Sequence, residues 1–326
     1  MKQKTDTTCH TTRNRGRLVR LALHRLWYRS VRAEKMPAHP DTTRRIRAII
    51  SVLLFVFVIP LQAQEMPGVL APGTWTHEAV AEGIVLHRAS FEGTLFDANQ
   101  YLCILEVAPG VRFDIVPAAD GTLEKTSELA ARVGAVAAVN GSFFNMRPPY
   151  GSVNYLRVDG AEQAPNVRSS GRRVRSLQQT GAVATFQGAL YTLKGDDLSR
   201  WEKDIEAEDV VTTGPVLLSG GEAEPVVNDR FNTNRHPRTA AGRRADGTVL
   251  LVVADGRNAS AAGLTMAELR QIMEALRCCD AVNLDGGGST AMVVRGEIVN
   301  HPSDNGKFDA AGERAVANAI VISLPQ

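Results

Sequence analysis

The sequence predicts an α+β fold, a mixed but largely antiparallel sheet flanked by a few helices. Three observations carry that prediction. Short runs rich in Val and Ile, bounded by Gly or Asp, recur along the chain and outnumber the helical segments. Two pairs of these runs are separated by tight-turn residues, which points to antiparallel neighbours. Strands and helices do not alternate strictly, as a doubly wound parallel sheet would require.

Taken in chain order, the first 63 residues read as a leader. Ala48–Leu61 is an uncharged apolar run that follows Arg44, Arg45 and Arg47 and precedes small and polar residues around Ala63. That is the layout of a secretory signal, and it is shorter than the ~20 residues a membrane-spanning helix needs. Met36 offers an alternative start, because the residues before it are rich in Arg and Thr and lack apolar periodicity. The expectation is a secreted or periplasmic protein with no stable membrane anchor after cleavage, a 64–82 extension, and one domain over 83–326.

Within that domain, strands are expected at Ile84–Ala89, Tyr101–Val107, Arg112–Pro117, Ala135–Val139, Val183–Phe186, Val210–Leu218, Thr248–Ala254, Ala281–Leu284, Ala291–Val294 and Ala317–Ser323. Pro109-Gly110 and Gln187-Gly188 read as hairpin turns, and Ala245-Asp246-Gly247 as a third turn. The clearest helix starts at Thr265, where Thr265 and Glu268 form a capping box ahead of an apolar face made by Met266, Leu269, Met273 and Leu276. Further helices are expected over Ser127–Val133 and, more weakly patterned, Leu198–Ala207.

The charge balance depends on the leader. Residues 1–63 hold 13 of the 37 Lys+Arg and only 3 of the 35 Asp+Glu, leaving 24 basic against 32 acidic residues in the remainder. A net charge of −8 argues against generic nucleic-acid binding, while a local Arg cluster can still hold an anionic substrate. Of the four Cys, Cys9 lies in the leader, and Cys103, Cys278 and Cys279 read as buried small apolar residues, since a vicinal pair is awkward to bridge. No metal-type spacing is present, and no cofactor is assigned, with a divalent ion left open.

Chemistry-bearing residues gather where strands end. The Ala281–Leu284 run delivers Asp285 into Gly286-Gly287-Gly288-Ser289-Thr290. Three glycines in a row cost about 0.5–1 kcal/mol each relative to Ala in regular structure, so close approach to a ligand is the natural reason for them. Their N–H groups can form an anion nest, with Ser289 and Thr290 adding hydroxyl donors. A second apolar run ends in Ala254-Asp255-Gly256-Arg257, so two strands deliver two aspartates. If neighbours, Asp255 and Asp285 would supply the carboxylate pair that glycoside hydrolysis uses. A third run ends in Asn140-Gly141-Ser142-Phe143-Phe144, where Phe143 and Phe144 could stack on a sugar face, the alternative being that they are core. Arg238 and Arg314 are the cationic candidates for phosphate, because a guanidinium grips two oxygens at once; Arg243 and Arg244 flank a turn and read as solvated.

Together these blocks, with Thr213-Gly214-Pro215, Arg238-Thr239-Ala240-Ala241-Gly242, Asn283-Leu284-Asp285-Gly286-Gly287-Gly288-Ser289-Thr290, His301-Pro302-Ser303-Asp304 and Glu313-Arg314, resemble in type and order the motifs of the phosphodiester glycosidase family. The resemblance runs from about Gly83 to the C-terminus. It implies hydrolysis of a sugar-1-phosphodiester at the glycosidic bond, with N-acetylglucosamine the sugar in animal members, and a phosphorylated glycan or small phosphodiester as substrate. It also implies Asp285 and Asp255 as the catalytic carboxylates, one as nucleophile or base. Asn140, Gly141, Phe143, Gly214, Arg238, Thr239, Gly286, Gly287, Gly288, Ser289, Thr290 and Arg314 would then contact substrate, Asn140 by orienting a sugar hydroxyl or N-acetyl group. Ser142 stands where the family often has a second Gly. Two other readings stay open: a phosphodiesterase breaking P–O, and a non-catalytic glycan-binding module.

Overall fold

The computed structural model describes residue 9 and residues 66–166, 179–196 and 200–324. Apart from Cys9, the expected leader and signal run lie outside the described residues, as do residues 167–178 and 197–199. One compact unit takes in all of the described residues.

Three main sheets are formed, and every pairing in them is antiparallel. The largest has eight strands in the order Thr74–Ala81, Ile84–Leu95, Ala98–Val107, Val249–Ala254, Arg238–Arg243, Asp280–Asn283, Val216–Ser219 and Glu222–Ala223. A five-stranded sheet contains Ala137–Asn140, Met292–Val294 and Asn318–Ser323, and a second one contains Gly181–Phe186, Ala189–Lys194 and Asp209–Thr213.

Alternation along the large sheet builds two cores. Leu86, Leu105, Leu251 and Val253 face the smaller sheets and meet Val139, Val183, Val211 and Ile320. Leu102, Ile104, Leu250 and Val252 point the other way, onto Leu269, Ile272 and Met273 of the Met266–Ala275 helix. With both faces covered, the central strands carry apolar side chains at nearly every position, which is why Val249–Ala254 reads as an unbroken apolar run. The Thr126–Arg132 helix covers the outer face of the Asn318–Ser323 sheet through Leu129 and Ala130.

The Thr265–Glu268 capping box forms as expected, and the Gln187–Gly188 turn closes a hairpin with both residues at positive φ. Four expectations are corrected. Pro109-Gly110 does not close a hairpin: Ala98–Val107 pairs with Ile84–Leu95, while Arg112–Pro117 crosses into another sheet to pair with Asn318–Ser323. Val210–Leu218 is two strands in two sheets, divided at Gly214-Pro215, where proline offers no N–H to a ladder. Within Leu198–Ala207 the described residues hold only a 3-10 turn at Trp201–Asp204; Arg200 is left-handed and Ile205 extended, and the Trp201 ring seats against Gly195. Tertiary packing of one tryptophan outweighs the local helical pattern. Cys279 is joined to Cys9 by a disulfide, so it is not a free apolar thiol, whereas Cys103 and Cys278 remain free and buried. The 64–82 stretch also contains a strand the pattern did not announce, Thr74–Ala81, at the edge of the large sheet.

Candidate active site

Strand order decides where the two aspartates lie. Val249–Ala254 and Asp280–Asn283 both pair antiparallel with Arg238–Arg243, so they run parallel to each other and release Asp255 and Asp285 at the same sheet edge. They are not neighbours. The intervening strand, at about 4.8 Å per step, separates the two strand ends by roughly 10 Å, and Arg238 opens that strand between them.

Asp285 is half-buried at the mouth of the glycine loop, with its Oδ1 accepting from Gly286 N at 2.9 Å. The loop is pinned from behind. Asp285 N donates to Gly141 O at 2.9 Å, and Gly287 N to Pro237 O at 2.9 Å. Asn140 supplies the main clamp: its Nδ2 donates to Asp285 O at 2.7 Å, and its Oδ1 accepts from Thr239 Oγ1 at 2.7 Å and Ala291 N at 3.2 Å. Asn140 and Thr239 are both fully buried. The amide expected to orient a sugar hydroxyl therefore positions the loop instead, by tying the end of one sheet to the end of another.

Two of the glycines are required by what surrounds them. Gly287 has φ +64°, and a Cβ there would stand 2.8 Å from the Arg257 guanidinium. A Cβ on Gly288 would collide with the carboxylate of Asp304 and the guanidinium of Arg314, which form a two-pronged ion pair. The loop is thus flanked by two guanidiniums, Arg257 on one side and Arg314 on the other, with Arg314 partly neutralised by Asp304. Ser289 and Thr290 lie beneath it with fully buried hydroxyls that have no protein partner. An unsatisfied buried hydroxyl costs about 1–3 kcal/mol, which a ligand oxygen reaching the loop would relieve.

Arg238, expected to hold phosphate, is 1% exposed. Its guanidinium donates to the carbonyl oxygens of Leu264 at 2.8 Å, Phe231 at 2.6 Å and Asn234 at 3.0 Å. It also stacks over the Phe231 ring, and burial pushes its pKa down to about 10. Arg238 organises the 231–234 and 264 segments behind the site. The exposed cation is Arg257, left-handed at φ 63°. Its sequence signal was the residue after Asp255-Gly256, where the aspartate drew attention away from it.

Phe143 is half-exposed and meets Phe231 edge-on at 6.0 Å, while Phe144 belongs to the core. Gly214 is buried and accepts from Asn283 Nδ2 at 2.8 Å, supporting the strand that carries Asp285.

Asp255 has different surroundings. It is 1% exposed, and its carboxylate accepts from Asn300 Nδ2 at 2.9 Å, from His301 N at 3.1 Å and from His301 Nδ1 at 2.7 Å. A carboxylate enclosed in this way is not placed to attack an anomeric carbon. His301, absent from the sequence-derived candidates, is its partner. The imidazole stacks on Phe308 at 3.7 Å, meets Tyr101 edge-on at 4.8 Å, and lines a cavity of about 520 Å³.

The phosphodiester glycosidase family model matches residues 133–323. Among curated relatives, N-acetylglucosamine-1-phosphodiester alpha-N-acetylglucosaminidase of Mus musculus is 27% identical over 76% of this chain and 48% of its own length. The Homo sapiens enzyme of the same name is 35% identical over 56% and 36%. An uncharacterised SPbeta prophage-derived protein of Bacillus subtilis is 37% identical over 28% of this chain and 13% of its own. The chain spans less than half the length of these relatives. The zebrafish N-acetylglucosamine-1-phosphodiester alpha-N-acetylglucosaminidase catalytic domain, solved auto-inhibited by its pro-peptide, superposes with a TM-score of 0.57 at 18% identity, covering 78% of this chain and 89% of that one. A hypothetical protein from Synechocystis superposes with a TM-score of 0.55 at 15% identity, over 77% and 64%.

Proposed function

The chain belongs to the phosphodiester glycosidase family, and from that premise we propose that it is an exported hydrolase that cleaves the glycosidic bond of an N-acetylglucosamine-type sugar-1-phosphodiester. The observation that carries this reading is the pairing of an anion cradle with a carboxylate. Asp285 leaves its strand directly into a glycine loop flanked by Arg257 and Arg314. Such a loop suits a phosphodiester anion, and a carboxylate beside it suits the positive charge that grows at an anomeric carbon.

Phosphate is already a good leaving group, so less acid assistance is needed than for a sugar alcohol. The phosphate lies at the rim of the glycine loop against Arg257, since the Gly286, Gly287, Ser289 and Thr290 N–H groups already donate within the protein, and Asp285 stabilises the oxocarbenium-like state. Asn140, Thr239 and Arg238 hold these groups in place from behind. Export rests on the basic-then-apolar leader pattern, and fractionation of the producing cell tests it.

Asp285→Asn separates an enzyme from a glycan-binding module. The reading expects phosphodiester affinity to change little and turnover to fall by about 10²-fold or more. Equal turnover by the variant and the wild type would contradict it.

A further inference from the structure

We infer that Asp304 is the residue that makes this site accept a singly charged phosphodiester and reject a doubly charged phosphomonoester. The inference rests on the glycosidase reading above and deepens it, by assigning the selectivity of that same site.

Asp304 reaches the site through Gly288. The N–H groups of Gly286, Gly287, Ser289 and Thr290 donate within the protein, so the Gly288 N–H is the loop donor left over among the described residues. Directly against Gly288 stand the Asp304 carboxylate and the Arg314 guanidinium, so close that a single Cβ there would strike both. The Ser303–Asn305 3-10 turn carries Asp304 to this place, and Arg314 grips both of its carboxylate oxygens through Nε and Nη2. The third guanidinium nitrogen, Nη1, meets the uncharged Met146 Sδ at 3.6 Å, so it is Asp304 that neutralises Arg314. The Asp304 side chain is 34% exposed, which presents its carboxylate at the rim of the loop rather than sealing it in. On the other side Arg257 packs against Gly287, and Asp285 leads into the loop. The charges of these four side chains cancel, and the buried Arg238 behind them is occupied by carbonyl oxygens.

The reaction raises the charge on the phosphate. A phosphodiester carries one negative charge, whereas the phosphomonoester released by glycosidic cleavage has a second ionisation near pH 6 and carries close to two at neutral pH. Two uncompensated guanidiniums beside the loop would hold that product more tightly than the substrate. A fixed carboxylate at the rim opposes this, because it repels a dianion about twice as strongly as a monoanion at the same distance. Selectivity then comes from a repulsive group that weakens the competitor more than the substrate. The same repulsion helps the product leave.

Two anions of similar size test this without turnover: dimethyl phosphate, with one charge, and methyl phosphate, with two at pH 8. In calorimetric titration of the full-length protein, the wild type should gain little affinity from the second charge. Asp304→Asn keeps the size of the side chain and an oxygen for Arg314 but removes the charge. Methyl phosphate should then bind about 10-fold more tightly, dimethyl phosphate should change by less, and the difference should shrink toward 1 M salt. During turnover, inhibition by the phosphomonoester product should strengthen by a similar factor. Removing both charges, in Asp304→Asn with Arg314→Gln, should return the ratio of the two affinities toward the wild-type value. An ion pair with only a structural role predicts the opposite sign, a loosened loop that binds both anions more weakly. An unchanged ratio in Asp304→Asn, or parallel loss of both affinities, would overturn the inference. So would a wild type that already binds methyl phosphate about 10-fold more tightly than dimethyl phosphate, a result that needs no variant. A wild type that binds neither anion refutes instead the reading of the loop as a phosphate site, and the inference falls with it.

Discussion

Arg257 and Arg238 make opposite predictions, and the contrast reads out which arginine meets the substrate. Arg257→Ala removes an exposed guanidinium that packs on Gly287. Alanine at the same left-handed backbone carries no new strain relative to arginine, so folding should be nearly unaffected. A hydrogen bond to a charged partner contributes about 1.5–3 kcal/mol, and exposure to solvent places this one near or below the lower end. A loss of about 1–2 kcal/mol corresponds to roughly 5–30-fold in kcat/KM. Being electrostatic, the deficit should shrink toward 1 M salt, where charges are screened within about 3 Å. Arg238→Ala strips the Phe231 and Asn234 carbonyl oxygens of this buried donor and leaves Leu264 O with the His236 N–H alone. At about 1–3 kcal/mol for each stranded group, less some relaxation, the expectation is about 4 kcal/mol of lost stability and a fall in Tm of roughly 10 °C. The assay is steady-state kinetics of both variants beside calorimetric melting. A stable, normally melting Arg238→Ala with a raised KM, or an Arg257→Ala with unchanged kcat/KM at low salt, would refute this division of labour.

Two further outcomes follow from the same geometry. Gly287→Ala forces a side chain into the left-handed region and toward Arg257, so about 1–2 kcal/mol of strain and a weaker grip on phosphate should appear together in denaturant titration and KM. His87 is buried, and burial depresses its pKa to about 4, with His77, Glu106 and Arg244 around it. Its neutral form contributes stability that is present above pH 6.5 and lost as pH falls through 4, in all about 3 kcal/mol. His87→Gln should flatten that segment of the stability curve, and an unchanged slope would contradict the assignment.

Much of this was legible in the chain because the signals are local. The Thr265–Glu268 box, the Gln187–Gly188 hairpin and the strand-to-glycine step at Asp285 each require only a few consecutive residues. The failures share a different origin. Pro109-Gly110 looks like a hairpin turn, yet which strand pairs with which is decided by how three sheets share one core. Asn140 and Asp285 lie 145 residues apart, and Asp255 and His301 are separated by 46. No spacing rule reports that one polar side chain is consumed by another that far away. Arg238 and Arg257 differ for the same reason, since burial alone turns one guanidinium into a scaffold and leaves the other as a candidate ligand. That Asp255 and Asp285 leave their strands at the same end of the large sheet was readable from the strand ends, and what each of their neighbours is bonded to was not.

The most direct test of the central claim is to follow the oxygen. The full-length chain, incubated with an N-acetylglucosamine-1-phosphodiester in heavy-oxygen water, should release sugar carrying the label at its anomeric carbon and an unlabelled phosphomonoester, because the bond broken is C–O. Label on the phosphate would show that P–O is cleaved and would contradict the account.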